Sequence, residues 1–203
     1  MNNQSESIKN RDQKDDYSLV RDFHKGDMYA FDHLVLRYKD RIFNLCFRFL
    51  GDYQDAEDTT QDVFVKAYRS LKNFRSESSF FTWLYRIAVN TCKNKIKSLE
   101  YRFRKADAKI DISEETADGI QAVYRPYLNG GPAAYLENKE MMRTLQKAIK
   151  SLPSDQRTVV ILRDIQGLSY EEIAEITGFK LGTLKSRLSR ARGQLREKIG
   201  GVI

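Results

Sequence analysis

The sequence is poor in the residues that cross-link small proteins, bind metal ions or cross membranes. Only two cysteines and two histidines occur among 203 residues, too few for a disulfide framework or a convincing zinc cluster. No apolar run approaches the ~20 residues of a membrane span, and the polar start of the chain has no apolar core of a signal peptide. We therefore expect a cytoplasmic protein without a cofactor, a metal site or a membrane-inserted segment.

Signals for β-strands are equally scarce. Alternation of polar and apolar residues never persists, and the turn pair Asn-Gly occurs once, at Asn129 and Gly130. Apolar residues recur instead at helical spacing, and Cys46 and Cys92 fall within such patterns, which predicts buried thiols. The predicted fold class is all-α, with two small helical domains joined by a linker.

The domain boundaries follow from where helical periodicity fails. Between residues 106 and 135 single apolar residues are scattered among acids, and two of the three prolines lie close to two glycines. Structureless stretches of this length are uncommon inside one compact domain, so this stretch is predicted to separate two. The predicted parts are a polar tail (1–16), a first domain (17–104), a linker (105–135) and a second domain (136–203).

Positive charge is what the chain has in excess, and its net charge is +7. Such a surplus favours a polyanionic partner, which leaves nucleic acid or an anionic membrane surface. The distribution of the charge along the chain distinguishes three segments.

The first segment, near the C-terminus, has the signals of a helix-turn-helix. Ser169 and Glu172 have the spacing of a capping box, Gly178 can end the first helix, and a second helix is predicted to start near Gly182 or Thr183. All four ionisable residues from 164 to 178 are acidic, whereas seven of eight from 179 to 199 are basic. The pattern predicts a DNA-binding domain of which the second helix enters the major groove. An ordinary helical hairpin with a solvated basic face is the alternative.

The second segment is an acidic helix start between Asp55 and Asp62. Four acids occur there without a basic residue. Complementarity to the helix dipole would explain them alone, but in a basic chain they also form a negative patch that suits a basic protein surface better than DNA.

The third segment follows a polar loop, residues 74–79, and is a long helix predicted from Phe80 to about Arg104. Clustered aromatic residues precede seven basic residues and one acid, as single-stranded nucleic acid requires for base stacking and backbone contact. Most of the rings at helical spacing must belong to the core, and Trp83 is more often packed than exposed. Phe80 and Asn90 are the better candidates for base contact.

Together these segments resemble the extracytoplasmic-function group of bacterial sigma factors, the short two-domain members of the sigma-70 family. The resemblance covers about residues 17–98 and 136–199. Its motifs are GDYQDAEDTTQDVFVKAYRSLKNF, FFTWLYRIAVN and SLPSDQRTVVILRDIQGLSYEEIAEITGFKLGTLKSRLSRARGQLR.

The resemblance implies partners and site residues. Core RNA polymerase would be bound through Asp58, Gln61 and Asp62. A minus-ten-type element, melted so that non-template bases are flipped out, would be bound by Phe74, Arg75, Phe80, Asn90 and Lys93. A duplex minus-thirty-five-type element would be bound by Lys180, Thr183, Lys185, Ser186, Arg187 and Arg190. Arg187 and Arg192 could serve phosphate contact or structure, and an anti-sigma factor is a further implied partner.

One position departs from the family pattern. Lys180 stands where many members have a side chain that caps the recognition helix, and it brings a cation to the positive helix end, which suits a bound phosphate.

Two other functions remain compatible with the residues alone. A free-standing helix-turn-helix regulator would bind duplex DNA without polymerase. A nuclease or recombinase would need metal ligands among the acids between Asp55 and Asp62, but no nucleophile or histidine constellation accompanies them. The leading prediction is a promoter-specificity factor that is not an enzyme.

Overall fold

A computed structural model describes residues 14–105, 141 and 143–200, with side chains described for 14–98, 141 and 143–200. The predicted tail (1–16) and linker (105–135) lie almost entirely outside the described residues. Every regular element in the described part of the chain is a helix, which confirms the predicted fold class. No helix there is both long and apolar enough to span a bilayer.

The first half contains four helices that follow each other closely. They are α1 (Asp16–His24), α2 (Tyr29–Leu50), α3 (Tyr53–Leu71) and α4 (Phe80–Lys105). The side chain of Asp52 accepts a hydrogen bond from the Asp55 amide and so caps α3. Gly51, with a φ of 66°, ends α2 in the left-handed conformation.

The second half is built from shorter helices. Residues 143–150 form α5, and the remaining elements are α6 (Ser154–Val160), a π-helical continuation (Ile161–Ile165), α7 (Tyr170–Thr177) and α8 (Leu181–Ile199). Pro153 separates α5 from α6, because a proline cannot continue the preceding helix.

The predicted helix-turn-helix is confirmed by α7 and α8. Ser169 and Glu172 form both hydrogen bonds of a capping box, and Gly178 adopts a φ of 72°. α8 starts at Leu181, one residue before the predicted start, and its cap residue Lys180 makes no side-chain capping hydrogen bond. The recognition helix therefore leaves backbone amides available at its first turn.

The core is one continuous cluster of buried apolar side chains that includes residues of both halves. In the first half α2 packs against α1, α3 and α4, and in the second α8 packs against α6 and α7. Cys46 and Cys92 are both fully buried, with their sulfur atoms 3.6 Å apart, as predicted. His24 is structural, since its Nε2 atom lies 2.8 Å from the carbonyl oxygen of Leu71.

Candidate nucleic-acid interface

The acidic face of α3 is exposed. Asp58, Gln61 and Asp62 are all accessible to solvent on successive turns, and Val65, one turn further, is 46% exposed. Asp55 does not belong to this face, because its carboxylate pairs with Lys95 of α4 at 3.1 Å. The exposed face thus combines the carboxylates of Asp58 and Asp62 with the apolar side chain of Val65. This composition suits a protein partner.

A cavity of about 560 Å³ lies between the loop that precedes α4 and the first turns of that helix. Two aromatic rings form one wall, with the centroids of Phe74 and Trp83 4.9 Å apart. The lining residues are Asn73, Phe74, Arg75, Glu77, Ser78, Trp83, Arg86 and Glu175. An aromatic wall beside arginine side chains can stack an unpaired base and hold the adjoining phosphate.

The ring of Phe80, which was predicted to contact a base, is buried in this structure. It is only 4% exposed and packs against Tyr38, Trp83 and Phe74 with centroid distances of 5.5, 5.6 and 6.4 Å. The neighbouring ring of Phe81, 6.3 Å from Tyr38 by centroids, is only half-buried. Phe80 therefore supports the cavity wall from behind, whereas Trp83 lines the cavity.

The other predicted contacts on the first half differ in accessibility. Arg75 and Asn90 are exposed. Lys93 is not, because its Nζ atom lies 3.1 Å from Asp155 of α6 and its side chain is 21% exposed. The predicted set is thus divided between accessible groups and one lysine that is already paired.

The outer face of α8 is basic, as predicted. Lys180, Lys185, Ser186 and Arg190 are exposed, whereas Thr183 is half-buried. The opposite face carries the buried residues Leu184, Leu188 and Ala191, so packing fixes which side of the helix faces outward.

Two arginines of α8 have protein partners in this structure. Arg187 pairs with Asp155 at 2.9 Å and stacks on the Phe179 ring, with its guanidinium carbon 4.0 Å from the centroid. Arg192 makes a bidentate pair with Asp164, at 3.0 and 2.5 Å. The structure thus favours the structural alternative for Arg192.

Several polar contacts join the two halves. Arg86 donates to the carbonyl oxygen of Glu175 at 2.7 Å, and Tyr85 donates to the side chain of Gln166 at 3.3 Å. Burial raises the pKa of Tyr85 to about 12, so the phenol stays protonated and able to donate. These contacts join residues 81 or more positions apart, and no local sequence pattern could have revealed them.

The described residues contain no group of three or more His, Cys, Asp or Glu side chains arranged to hold a metal ion.

Two family models match the chain, one in each half. Residues 34–102 match Sigma-70 region 2, and residues 142–195 match Sigma-70, region 4. The RNA polymerase sigma-H factor of Pseudomonas aeruginosa is 41% identical over 180 residues, which cover 89% of this chain and 91% of that protein. The ECF RNA polymerase sigma-E factor of Escherichia coli is 38% identical over 194 residues, or 95% of this chain and 98% of that protein.

The fold has a solved counterpart. The sigma factor RpoE from Bartonella quintana, whose structure was determined in complex with the anti-sigma factor NepR, has a TM-score of 0.61 at 24% identity. The similarity covers 85% of this chain and 98% of that chain. Each half of the chain therefore matches a family model, and the similarity to the two sequence relatives also covers the segment between the halves.

Proposed function

Because this chain belongs to the sigma-70 family, in its extracytoplasmic-function group, we propose that its three predicted surfaces divide the work of promoter opening. The protein is a promoter-specificity sigma factor that directs transcription initiation and is not an enzyme. Matches across both halves favour this function over a free-standing regulator, which would need only the helix-turn-helix. The protein would act together with polymerase on chromosomal DNA, in the cytoplasm.

The assignment of these surfaces rests on the opposite charges that α3 and α8 expose. α3 exposes Asp58 and Asp62, whereas α8 exposes Lys185 and Arg190. DNA would be repelled by the first face and attracted by the second. We assign the α3 face, with Gln61, to the core polymerase and the α8 face to duplex DNA.

On α8, side chains and backbone would have different roles. Lys185, Ser186 and Arg190 project from the exposed face and can reach base edges, where arginine and lysine favour guanine. Lys180 and the uncapped amides of the first turn can hold a phosphate, which fixes the register of the helix in the groove. Thr183 would support this contact from the half-buried side.

The cavity beside Trp83 is assigned to a flipped base of the non-template strand. Taking a base out of the duplex costs a few kcal/mol of stacking and pairing. Stacking on an aromatic ring returns about 1–3 kcal/mol per base, and Arg75 beside the cavity can pair with the backbone. Asn90, exposed further along α4, can contact the strand beyond the cavity. Strand separation would thus be driven by capture of the unpaired state.

An anti-sigma factor is a third class of partner expected from the family. The relative from Bartonella quintana is a sigma factor in complex with such a protein. To silence this chain, a partner of that class would need to block the α3 face or the DNA-binding faces.

Run-off transcription with purified core polymerase tests the function directly. The wild-type chain should direct initiation from a cognate promoter found by genome-wide binding, and failure on every bound promoter would reject the proposal. The double variant Asp58→Arg plus Asp62→Arg should bind core at least about tenfold more weakly, because like charges opposed across an interface are costly.

A matched control separates this effect from net charge. Asp32→Arg plus Asp40→Arg makes the same charge change on exposed positions of α2. If both double variants lose core binding equally, as measured by surface plasmon resonance, the α3 face is not the specific contact.

A further inference from the structure

One carboxylate is shared by basic side chains from the two halves. Asp155 of α6 lies 3.1 Å from Lys93 of α4 and 2.9 Å from Arg187 of α8. The same two cations flank the ring of Phe179, at 5.5 and 4.0 Å from its centroid. Four side chains from separate elements thus form a single cluster, which we call the Asp155 cluster.

The family resemblance implies DNA contact for both cations of the cluster. Lys93 lies on α4, the helix that also contributes to the base cavity, and Arg187 lies on the recognition helix α8. A carboxylate offers them oxygen acceptors and a negative charge, as a DNA phosphate would. Neither cation can neutralise a phosphate fully while it is paired with Asp155.

The remaining contacts between the halves bring α7 to the base cavity. Arg86 holds the C-terminal end of α7 through the Glu175 carbonyl, and Glu175 is one of the residues that line the cavity. Its carboxylate adds negative charge where a nucleic-acid backbone would have to pass.

A third set of contacts lies at the end of α2. The side-chain amide of Gln146 donates to the carbonyl oxygens of Phe47 and Arg48, at 3.3 and 3.0 Å. The Arg48 carbonyl is among those that a helix end leaves without an intrahelical partner, whereas the Phe47 carbonyl also accepts from the Gly51 amide at 2.7 Å. The two halves are therefore held together by polar contacts at three separate places, and we call this arrangement closed.

The proposed polymerase-binding face is not involved in any of these contacts. Asp58, Gln61 and Asp62 remain exposed on α3, and the residues that join the halves lie on other elements. The closed chain can therefore present this face to polymerase while its DNA-binding groups are engaged internally.

We propose that the Asp155 cluster is an internal competitor for DNA that keeps the polymerase-free chain closed, with Asp155 occupying the place of a phosphate. The inference rests on the proposed function and on the DNA contacts that the family resemblance implies for Lys93 and Arg187. DNA binding and the closed arrangement then exclude one another, and each weakens the other by the same factor.

Carbodiimide cross-linking tests the closed arrangement without DNA or polymerase. The reagent joins a lysine amine to a carboxylate in direct contact, and mass spectrometry identifies the joined peptides. The wild-type chain should yield the Lys93–Asp155 product. The pair Lys95–Asp55, with the same 3.1 Å separation inside the first half, is the internal control for reactivity and folding. A Lys95–Asp55 product without a Lys93–Asp155 product would overturn the proposal.

Competition with DNA tests the inhibitory role. A 30-base-pair duplex of random sequence, added in excess, should reduce the Lys93–Asp155 product while leaving the Lys95–Asp55 product unchanged. An undiminished Lys93–Asp155 product when the duplex is shown to be bound would mean that the cluster does not compete with DNA.

The variant Asp155→Asn should bind the same duplex about three- to tenfold more tightly than the wild-type chain, the range expected from two partly exposed ion pairs. Asp164→Asn is the matched control: it makes the same charge change and frees Arg192, but its ion pair lies within the second half. Equal gains in both variants, by fluorescence anisotropy, would reduce the effect to net charge and refute the proposal.

These results can be distinguished from failure of the proposed function. A chain that fails to direct transcription with core polymerase can still give the Lys93–Asp155 product. A chain that gives no such product can still direct transcription. If Asp155→Asn lowers the yield of the Lys95–Asp55 control, the wild-type competition with duplex decides the question, because it requires no variant.

Discussion

Replacement of Phe80 distinguishes a supporting role from a direct contact with DNA. The ring is almost fully buried and meets three other aromatic rings. Phe→Ala changes at such sites cost about 3–5 kcal/mol in free energy of unfolding. For a chain of this size, that loss lowers the melting temperature by roughly 6–20 °C. Phe80→Ala should therefore act mainly through the stability of the first half.

A conservative variant separates stability from base capture. Phe80→Leu keeps an apolar side chain in the cluster and should cost less, about 1–2 kcal/mol. Trp83→Ala removes a ring that lines the cavity and should reduce base capture. Urea unfolding followed by circular dichroism measures the first effect, and fluorescence of 2-aminopurine in the non-template strand, with core polymerase present, measures the second.

The two readouts should rank the variants differently. Phe80→Leu should capture the base nearly as well as the wild-type chain, whereas Trp83→Ala should not. If Phe80→Leu loses base capture as fully as Trp83→Ala while it remains folded, the ring of Phe80 contacts the base and does not merely support the cavity wall.

Three further predictions concern caps, thiols and DNA contacts. Ser169→Ala should lower the free energy of unfolding by about 1 kcal/mol through loss of the capping box, against less than about 0.5 kcal/mol for the exposed Ser189→Ala; equal losses in urea titrations would contradict this. A hydrogen bond to the neighbouring thiol and burial raise the pKa of Cys92 above its ordinary value of 9.0, so only the unfolded chain ionises near that pH; stability should decline as pH rises above about 8.5, and a profile unchanged by Cys92→Ala would count against it. Arg190→Ala should relax base preference, whereas Lys180→Ala should weaken all duplexes alike and lower the salt slope by about 0.9; anisotropy at several salt concentrations separates them, and a sequence-dependent Lys180→Ala effect would assign that residue to base contact.

Local signals predicted the second half well. Ser169, Glu172 and Gly178 each act on the backbone within a few residues, so their effects can be inferred from spacing alone. The same holds for the missing cap at Lys180, where the structure contains no side-chain hydrogen bond. The first residue of α8 differs from the prediction by one position, and the π-helical continuation at Ile161–Ile165 was not predicted.

Positions at the start of a helix were harder to assign. Phe80 and Phe81 are adjacent, and either could continue the apolar face of α4 towards Leu84. Both rings contact Tyr38 of α2, but only Phe80 also packs against Phe74 and Trp83. The contact with Tyr38 joins residues 42 positions apart, which no local sequence pattern can reveal. The exposure of Trp83 follows from the same rotation of the helix.

Charge alone could not reveal the partners of basic residues. Lys93 and Arg187 have the residue types that bind phosphate, and a carboxylate satisfies the same hydrogen-bonding geometry. Asp155 lies in a short helix in a segment with no unusual charge, so its position between the halves depends on the packing of α6. The sequence could therefore predict the cations but not their internal competitor.

A modest internal competitor is sufficient to matter for a DNA-binding protein. Non-specific complexes typically have dissociation constants of 10⁻⁴–10⁻⁶ M, whereas specific ones are about 4–10 kcal/mol more stable. Opening that costs about 1.4 kcal/mol weakens both classes tenfold. That factor weakens non-specific binding tenfold from an already low affinity, but it removes only a fraction of the specific free energy. Two partly exposed ion pairs at Asp155 add a cost of that order to the other contacts between the halves. They would weaken binding of the free chain to random DNA and still yield to a promoter held by polymerase.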